Sequence, residues 1–219
     1  MANLTPQAYF DEAAAVYDSA VKAYRWNGCS LLARALSVVN PSEETPQSIL
    51  DFGTGTGLLT VELLKLYPSC RIFGVDISQK MLDIQLNKLP DANCRIFDGV
   101  NIPCIDGEFD IICSSGTLEF ISDPKHTIRE FIRCLRPNGL IAISCLSRIE
   151  HNSLSGLFCT FKERVSRVKF KPHPLKKIAR TFAERGAIVL HQEEHCGLHY
   201  PNGSKYHYGI TIAKLPEIG

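Results

Sequence analysis

A short apolar run that ends in an acid and breaks into three alternating glycines constrains this chain more than any other stretch. Ser48 to Thr60 reads Ser-Ile-Leu-Asp-Phe-Gly-Thr-Gly-Thr-Gly-Leu-Leu-Thr. Ile49 to Phe52 predicts a buried parallel strand, Gly53, Gly55 and Gly57 the turn after it, and Leu58 to Leu66 the start of a helix. Bare backbone at a helix N-terminus offers free N–H groups to oxygen atoms of a ligand, so this is a binding loop. Its spacing argues against two common ligands. A dinucleotide fingerprint, Gly-x-Gly-x-x-Gly, needs a third glycine where Leu58 stands. No Gly-Lys-Ser/Thr closes the turn, as a nucleoside-triphosphate loop requires.

Two further runs end in acids. Arg71-Ile-Phe-Gly-Val-Asp76 predicts a second strand, nineteen positions beyond Gly57, the distance that one helix and one strand need. A carboxylate there can accept hydrogen bonds from both hydroxyls of a ribose. Cys94-Arg-Ile-Phe-Asp98-Gly99 predicts a third strand, with Asp98 at its end. Phe109 to Cys113 predicts a fourth, with the loop Ser114 to Thr117 at its carboxyl end, where ligands of open α/β sheets sit.

Asp51, Gly53, Gly55 and Gly57 match Asp/Glu-x-Gly-x-Gly-x-Gly, and this segment resembles motif I of the class I S-adenosylmethionine (SAM)-dependent methyltransferases. Gly107 to Pro124 is similar to their motif IV, Phe-Asp-x-x-x-Ser/Cys-x-x-x-Leu-His/Glu-His, although Phe120 stands where many relatives carry His. Leu135-Arg-Pro-Asn-Gly139 looks like their Leu-Arg/Lys-Pro-Gly-Gly turn before a fifth strand, with Asn138 an acceptable left-handed residue. The resemblance covers residues 48–145 in four ordered blocks. It implies that Asp76 holds the SAM ribose, Ile77 and Met81 pack on the adenine, and Asp98 with the backbone of Gly99 reads its edge. Ser114 would support the methionine end, and Glu119 would face the donor methyl. The pairs Phe10-Asp11 and Tyr17-Asp18 resemble a helical lid over the cofactor. Tyr17 and Trp26 are equally readable as core aromatics.

Composition describes a globular chain of 219 residues, 45% hydrophobic and 21% charged, long enough for one core. A net charge of +1 argues against a generally basic, nucleic-acid-coating surface. No apolar run of about 18 residues predicts a membrane span, and the N-terminus lacks an export signal, so a cytoplasmic enzyme is expected. The nine cysteines are scattered, with no Cys-x-x-Cys; they read as small buried residues in a reducing compartment, and no metal is expected.

Residues 5–39 predict two amphipathic helices, with Tyr9, Phe10, Ala13, Val16 and Tyr17 inward on the first and Leu31, Leu32, Ala35, Leu36 and Val39 on the second. Leu146 to Phe161 reads as an apolar wall or cover. Residues 162–185 carry nine basic side chains against Glu163 and Glu184, partly as the solvated face of an amphipathic helix from Pro174 to Gly186. A sixth strand is predicted from Ala187 and a seventh over Gly209 to Lys214, with His195, Cys196, His199, Tyr200, Tyr206, His207 and Tyr208 in the loop between them. If the family's final strand pair is present, that loop lies beside the cofactor.

The expectation is a single α/β domain, a Rossmann-like seven-stranded, mostly parallel sheet with helices on both faces. Residues 1–47 form a helical lid, 48–145 the SAM-binding core, and 146–219 the substrate side with the final strands. The expected reaction moves a methyl group from SAM to oxygen, nitrogen or carbon of a small-molecule acceptor, with Glu119, His195 and His199 as candidate bases. Asp/Asn-Pro-Pro-Tyr is absent after strand four, and Pro103-Cys104 precedes that strand, which argues against amide, adenine and cytosine-ring methylation. Two rivals remain: an RNA or protein methyltransferase using residues 162–185, and a non-catalytic SAM-binding subunit. A dehydrogenase is disfavoured by Leu58.

Overall fold

The computed structural model describes residues 4–41, 45–150, 168–199 and 204–216. Two helices lead, α1 (Pro6–Ala23) and α2 (Gly28–Val39). Then β1 (Ser48–Phe52), α3 (Leu58–Leu66), β2 (Arg71–Asp76), α4 (Gln79–Lys88) and β3 (Asn93–Ile96) alternate. They are followed by β4 (Phe109–Ser115), a single 3-10 turn (Leu118–Phe120), α5 (Pro124–Cys134) and β5 (Leu135–Glu150). The chain closes with α6 (Leu175–Ala183), β6 (Ile188–His199) and β7 (Lys205–Lys214).

The seven strands form one sheet in the order β3-β2-β1-β4-β5-β7-β6. β1 pairs in parallel with β2 and β4, β2 with β3, and β4 with β5, whereas β7 runs antiparallel to both β5 and β6. The expected Rossmann-like sheet, mostly parallel, is thus present. Every residue of β1 is buried because the sheet is covered on both faces. Ile49 packs among Leu32, Leu36 and Leu63 of α2 and α3, while Leu50 and Phe52 pack among Ile128, Phe131, Ile178 and Phe182 of α5 and α6. Strand order reverses between β1 and β4, so a crevice opens at their carboxyl ends. At the amino edge, Asp110 accepts the backbone N–H groups of Gln47 and Ser48 and the Arg136 guanidinium at 2.6 Å, which pins β1 to β4.

Local chemistry explains the element limits. Thr5 caps α1 by accepting the Ala8 N–H, and Pro6 needs no donor at the first helical position. Asp123 caps α5 through the N–H groups of Lys125 and His126, again ahead of a proline. Asn138 takes φ 65° in the turn before the ladder of β5 resumes.

Four expectations need correction. Val16 is 60% exposed, and Ala14 takes the buried position on α1. The segment from Leu146 to Glu150 continues β5 along β7; the rest of the expected apolar wall lies outside the described residues, as do positions 162–167 of the basic segment. The last two strands are longer than their apolar cores, so His195, Cys196 and His199 lie on β6 and Tyr206, His207 and Tyr208 on β7; Tyr200 is outside the described residues. Their polar, aromatic alternation is strand-like: His207 and Tyr208 are buried on β7, and His195 and Cys196 are half-buried on β6. Finally, Cys104 and Cys134 are joined by a disulfide across 30 residues, although Cys70, Cys113 and Cys145 are free and buried as expected.

Candidate functional site

A cavity of about 630 Å³ occupies the crevice at the carboxyl ends of β1, β2 and β4. Its wall includes Gly53 and Gly55 of the glycine turn, Asp76 and Ile77 at the end of β2, Met81 of α4, and Asp98 and Gly99 beyond β3. Tyr17 and Phe10 close it from α1. The fold thus brings residues more than eighty positions apart to one cavity wall.

The three glycines serve different ends. Gly53 adopts φ +71°, and a Cβ there would fall 2.2 Å from Thr117 Oγ1, so a side chain is excluded by both conformation and space. Gly55 adopts φ +55° with nothing nearer its Cβ position than a carbonyl at 4.0 Å, so bare backbone faces the cavity. Gly57, by contrast, is the left-handed residue before α3 and packs against Gln85 of α4, away from the cavity wall.

Asp51, expected at the ligand, turns inward. It is 1% exposed and accepts the hydroxyls of Thr54 at 2.9 Å and Thr60 at 2.7 Å, which staples the glycine turn to α3. Burial pushes its carboxyl up to about 6 despite those hydroxyls. Ser114 is also corrected: it is fully buried on β4 and donates to the Phe52 carbonyl, and the cavity wall falls instead to Ser115, Gly116 and Thr117. A strand's alternation decides this, since one residue faces the core and the next opens past the strand end.

Asp76 has the geometry of a ligand acceptor. One carboxylate oxygen accepts the Gly55 N–H and the other the Ser78 N–H, both at 2.9 Å. Burial raises its pKa against the pull of those bonds, and no cation among the described residues pairs with it. A carboxylate oxygen accepts more than one hydrogen bond. Two adjacent hydroxyls of a ribose supply two further donors. Beside it Phe52, Ile77, Met81 and Phe97 line an apolar slot for a flat base. The residues present fit the nucleoside of SAM.

β3 ends at Ile96, so Asp98 sits in the turn beyond it. One of its oxygens accepts the N–H groups of Val100 and Asn101, which holds its pKa below the usual range and leaves the other for a ligand. α1 is lashed over the site by carboxylates: Asp11 accepts the Ser78 hydroxyl at 2.6 Å, and Asp18 accepts Thr56 at 2.5 Å and Lys88 at 2.7 Å. Phe10 meets Phe120 edge-on at 5.0 Å. Tyr17 has no hydrogen bond among the described residues, and burial raises its pKa, so its hydroxyl stays protonated.

The three expected bases are spread out. Glu119 is buried behind the cavity wall rather than on it; burial raises its carboxyl from 4.5 to about 7, and Oε2 has no hydrogen-bond partner among the described residues. His195 stacks on Tyr208 at 6.3 Å, with both ring nitrogens buried and without a hydrogen-bond partner among the described residues, and burial lowers its pKa. For His199 the structure gives only the backbone position at the end of β6, opposite Lys205. The sequence reading missed Thr117, whose side chain crosses to Gly53, and His126, which bonds the Val100 carbonyl on the cavity wall. The resemblance to motif IV could have found Thr117; nothing in the spacing marks His126.

A buried acid whose folded pKa lies above its unfolded value binds its proton more tightly in the folded chain, so its contribution falls as pH rises through that interval. For Glu119 the interval runs from 4.5 to about 7. Relative to Glu119→Gln, the wild type should lose up to about 3 kcal/mol between roughly pH 4 and pH 8 in denaturant unfolding. Parallel pH profiles would show that Glu119 is not the buried acid described.

Residues 50–143 match the methyltransferase domain family. Among curated proteins, the chain is 31% identical over 151 residues to malonyl-[acyl-carrier protein] O-methyltransferase of Laribacter hongkongensis, covering 64% of this chain and 50% of that one. It is 35% identical over 101 residues to demethylmenaquinone methyltransferase of Thermotoga maritima, covering 46% and 44%. The chain thus spans about half the length of the curated relatives it matches. A Haloferax volcanii chain, solved in a complex between the Trm112 methyltransferase activator and the putative methyltransferase, superposes with a TM-score of 0.71 at 18% identity, covering 95% of this chain and 98% of that one.

Proposed function

We propose that the whole chain, whose residues 50–143 match the methyltransferase domain family, is one class I SAM-dependent methyltransferase domain that methylates a small-molecule acceptor at oxygen, nitrogen or carbon in the cytosol. The observation that carries this reading is Asp76, a buried carboxylate that accepts backbone N–H groups, pairs with no cation among the described residues and lies beside an apolar slot. When bound, SAM supplies a methyl carbon already activated by its sulfonium. The residues of this chain hold, orient and exclude water. Asp76 takes the ribose, the backbone at Gly55 lets the ligand close on the turn, and Asp98 with Gly99 reads the base. Tyr17 and Phe10 cover the reacting end from α1, where orientation alone is worth roughly 7 to 11 kcal/mol.

A base is required only for an acceptor that is protonated at working pH. Glu119 lies behind the cavity wall, so it would reach an acceptor proton only through a wall residue, although its carboxyl, raised by burial to about 7, could both accept and release one. His195 and His199 are the alternatives on the hairpin. The Thermotoga relative is named for a small molecule and the Laribacter relative for a malonyl group on a carrier protein, which supports a small organic group over RNA, free or carried on a protein. In the described part of the basic segment, α6 buries Ile178 and Phe182 and turns Lys176, Lys177 and Arg180 to solvent, so the RNA alternative is decided by the test below. Among the described residues no helix is long and apolar enough to cross a membrane.

The test is methyl-labelled SAM offered with small acids, phenols, amines and quinones, and separately with RNA and protein. Label in a small molecule is expected. Label only in RNA or protein would overturn the acceptor class. SAM binding with no transfer until a partner protein is added would favour the assembly seen for the Haloferax chain.

A further inference from the structure

The 98–108 loop forms one wall of the cavity through Asp98, Gly99 and Val100, and α5 grips it along a single face. His126 bonds the Val100 carbonyl at 3.0 Å, and Glu130 accepts the Ile102 N–H at 3.1 Å. Arg133 donates to the carbonyls of Ile102 and Cys104 and to Asp106. At the end of that row the disulfide joins Cys104, in the loop, to Cys134, the last residue of α5. Cys29, Cys70, Cys94, Cys113 and Cys145 carry free thiols.

We propose that Cys104 and Cys134 are a reversible thiol–disulfide modification site that sets the affinity of the cavity for SAM; the idea rests on the SAM-binding reading above. Three features assign the chemistry. Cys104 is half-buried between exposed Pro103 and Ile105, so an external reagent reaches it first. Cys134 is fully buried and waits as the resolving sulfur. Arg133 Nη2 lies 3.7 Å from Cys104 Sγ, a fixed positive charge where thiolate charge develops when the bond opens.

In the closing direction, the Cys104 thiolate attacks one sulfur of an external disulfide and expels one thiolate. Cys134 then displaces the second. Two protein thiols lose two electrons and two protons to form one disulfide, and the external disulfide becomes two thiols. Closure ties the loop covalently at position 104. Opening leaves the Asp98–Val100 wall held by hydrogen bonds and the buried Ile102 without a covalent tie, so binding must also order more of the loop. Linkage demands the reverse effect: bound SAM makes the disulfide harder to reduce by the same factor.

The experiment equilibrates the whole chain in reduced and oxidised dithiothreitol, maps the bond by mass spectrometry, and titrates each state with SAM calorimetrically. Reduction should weaken SAM binding about fivefold or more, within the usual range of coupling. Saturating SAM should shift the thiol–disulfide midpoint of the protein by the same factor. Cys104→Ser should bind like the reduced wild type and ignore the redox buffer; if it does not fold, the wild-type comparison still decides. Equal affinity in both states, or no Cys104–Cys134 bond under oxidising conditions, overturns the proposal and leaves SAM binding intact. Failure to bind SAM in either state instead overturns the reading beneath it.

Discussion

Asp76→Ala should abolish useful SAM binding. Each lost ribose hydrogen bond to the carboxylate is worth roughly 1.5 to 3 kcal/mol, so the pair predicts a loss of about a hundredfold to ten-thousandfold in Kd. The substitution also strips the Gly55 and Ser78 N–H groups of their acceptor, which loosens the glycine turn and the start of α4. Asp76→Asn separates the two effects. It keeps one acceptor oxygen and most of the volume but loses the charge, so its affinity should fall between those of wild type and Asp76→Ala. Calorimetry that finds unchanged affinity for Asp76→Ala would remove the ribose assignment.

The second large effect is on folding. Gly53→Ala must place a Cβ 2.2 Å from Thr117 Oγ1 and 2.5 Å from its Cγ2, at a φ of +71°. Left-handed backbone costs roughly 1 to 2 kcal/mol for an alanine, and forcing a methyl into a filled space roughly 1 to 3 more. A total of about 2 to 5 kcal/mol is a large part of the stability of a domain this size. Gly55→Ala carries the same backbone penalty without a clash, because no atom lies within 4.0 Å other than a carbonyl at that limit. Denaturant midpoints should therefore rank wild type, Gly55→Ala, Gly53→Ala, and adding Thr117→Gly to Gly53→Ala should recover only the steric part. Equal midpoints for the two alanine variants would show that Thr117 does not pack as described.

These contrasts mark what a linear sequence reveals. β2 spans Arg71–Asp76, as expected: an apolar run whose inner half, Gly74 to Asp76, is buried is stopped by a single acid. The wall residues Gly53, Gly55, Asp76, Ile77 and Met81 were legible for the same reason: they sit where elements end, and ends have distinctive chemistry. Direction was harder to read. Asp51 and Ser114 belong to the right elements, yet both are turned into the protein by contacts with Thr54, Thr60 and Phe52 that no spacing encodes. The long β6–β7 hairpin was shortened because its outer half carries polar and aromatic residues, which read as loop when no covering layer is known. The Cys104–Cys134 bond depends on the α5 face meeting the 98–108 loop, a tertiary event between residues 30 apart.

One measurement bears most directly on the central claim: calorimetric titration of the purified chain with SAM, with its demethylated product and with NAD, side by side. Saturable binding of both sulfur nucleosides and none of NAD is expected, given Leu58 in place of the third glycine and the buried carboxylate of Asp76. Binding of NAD alone, with neither sulfur nucleoside, would contradict the account.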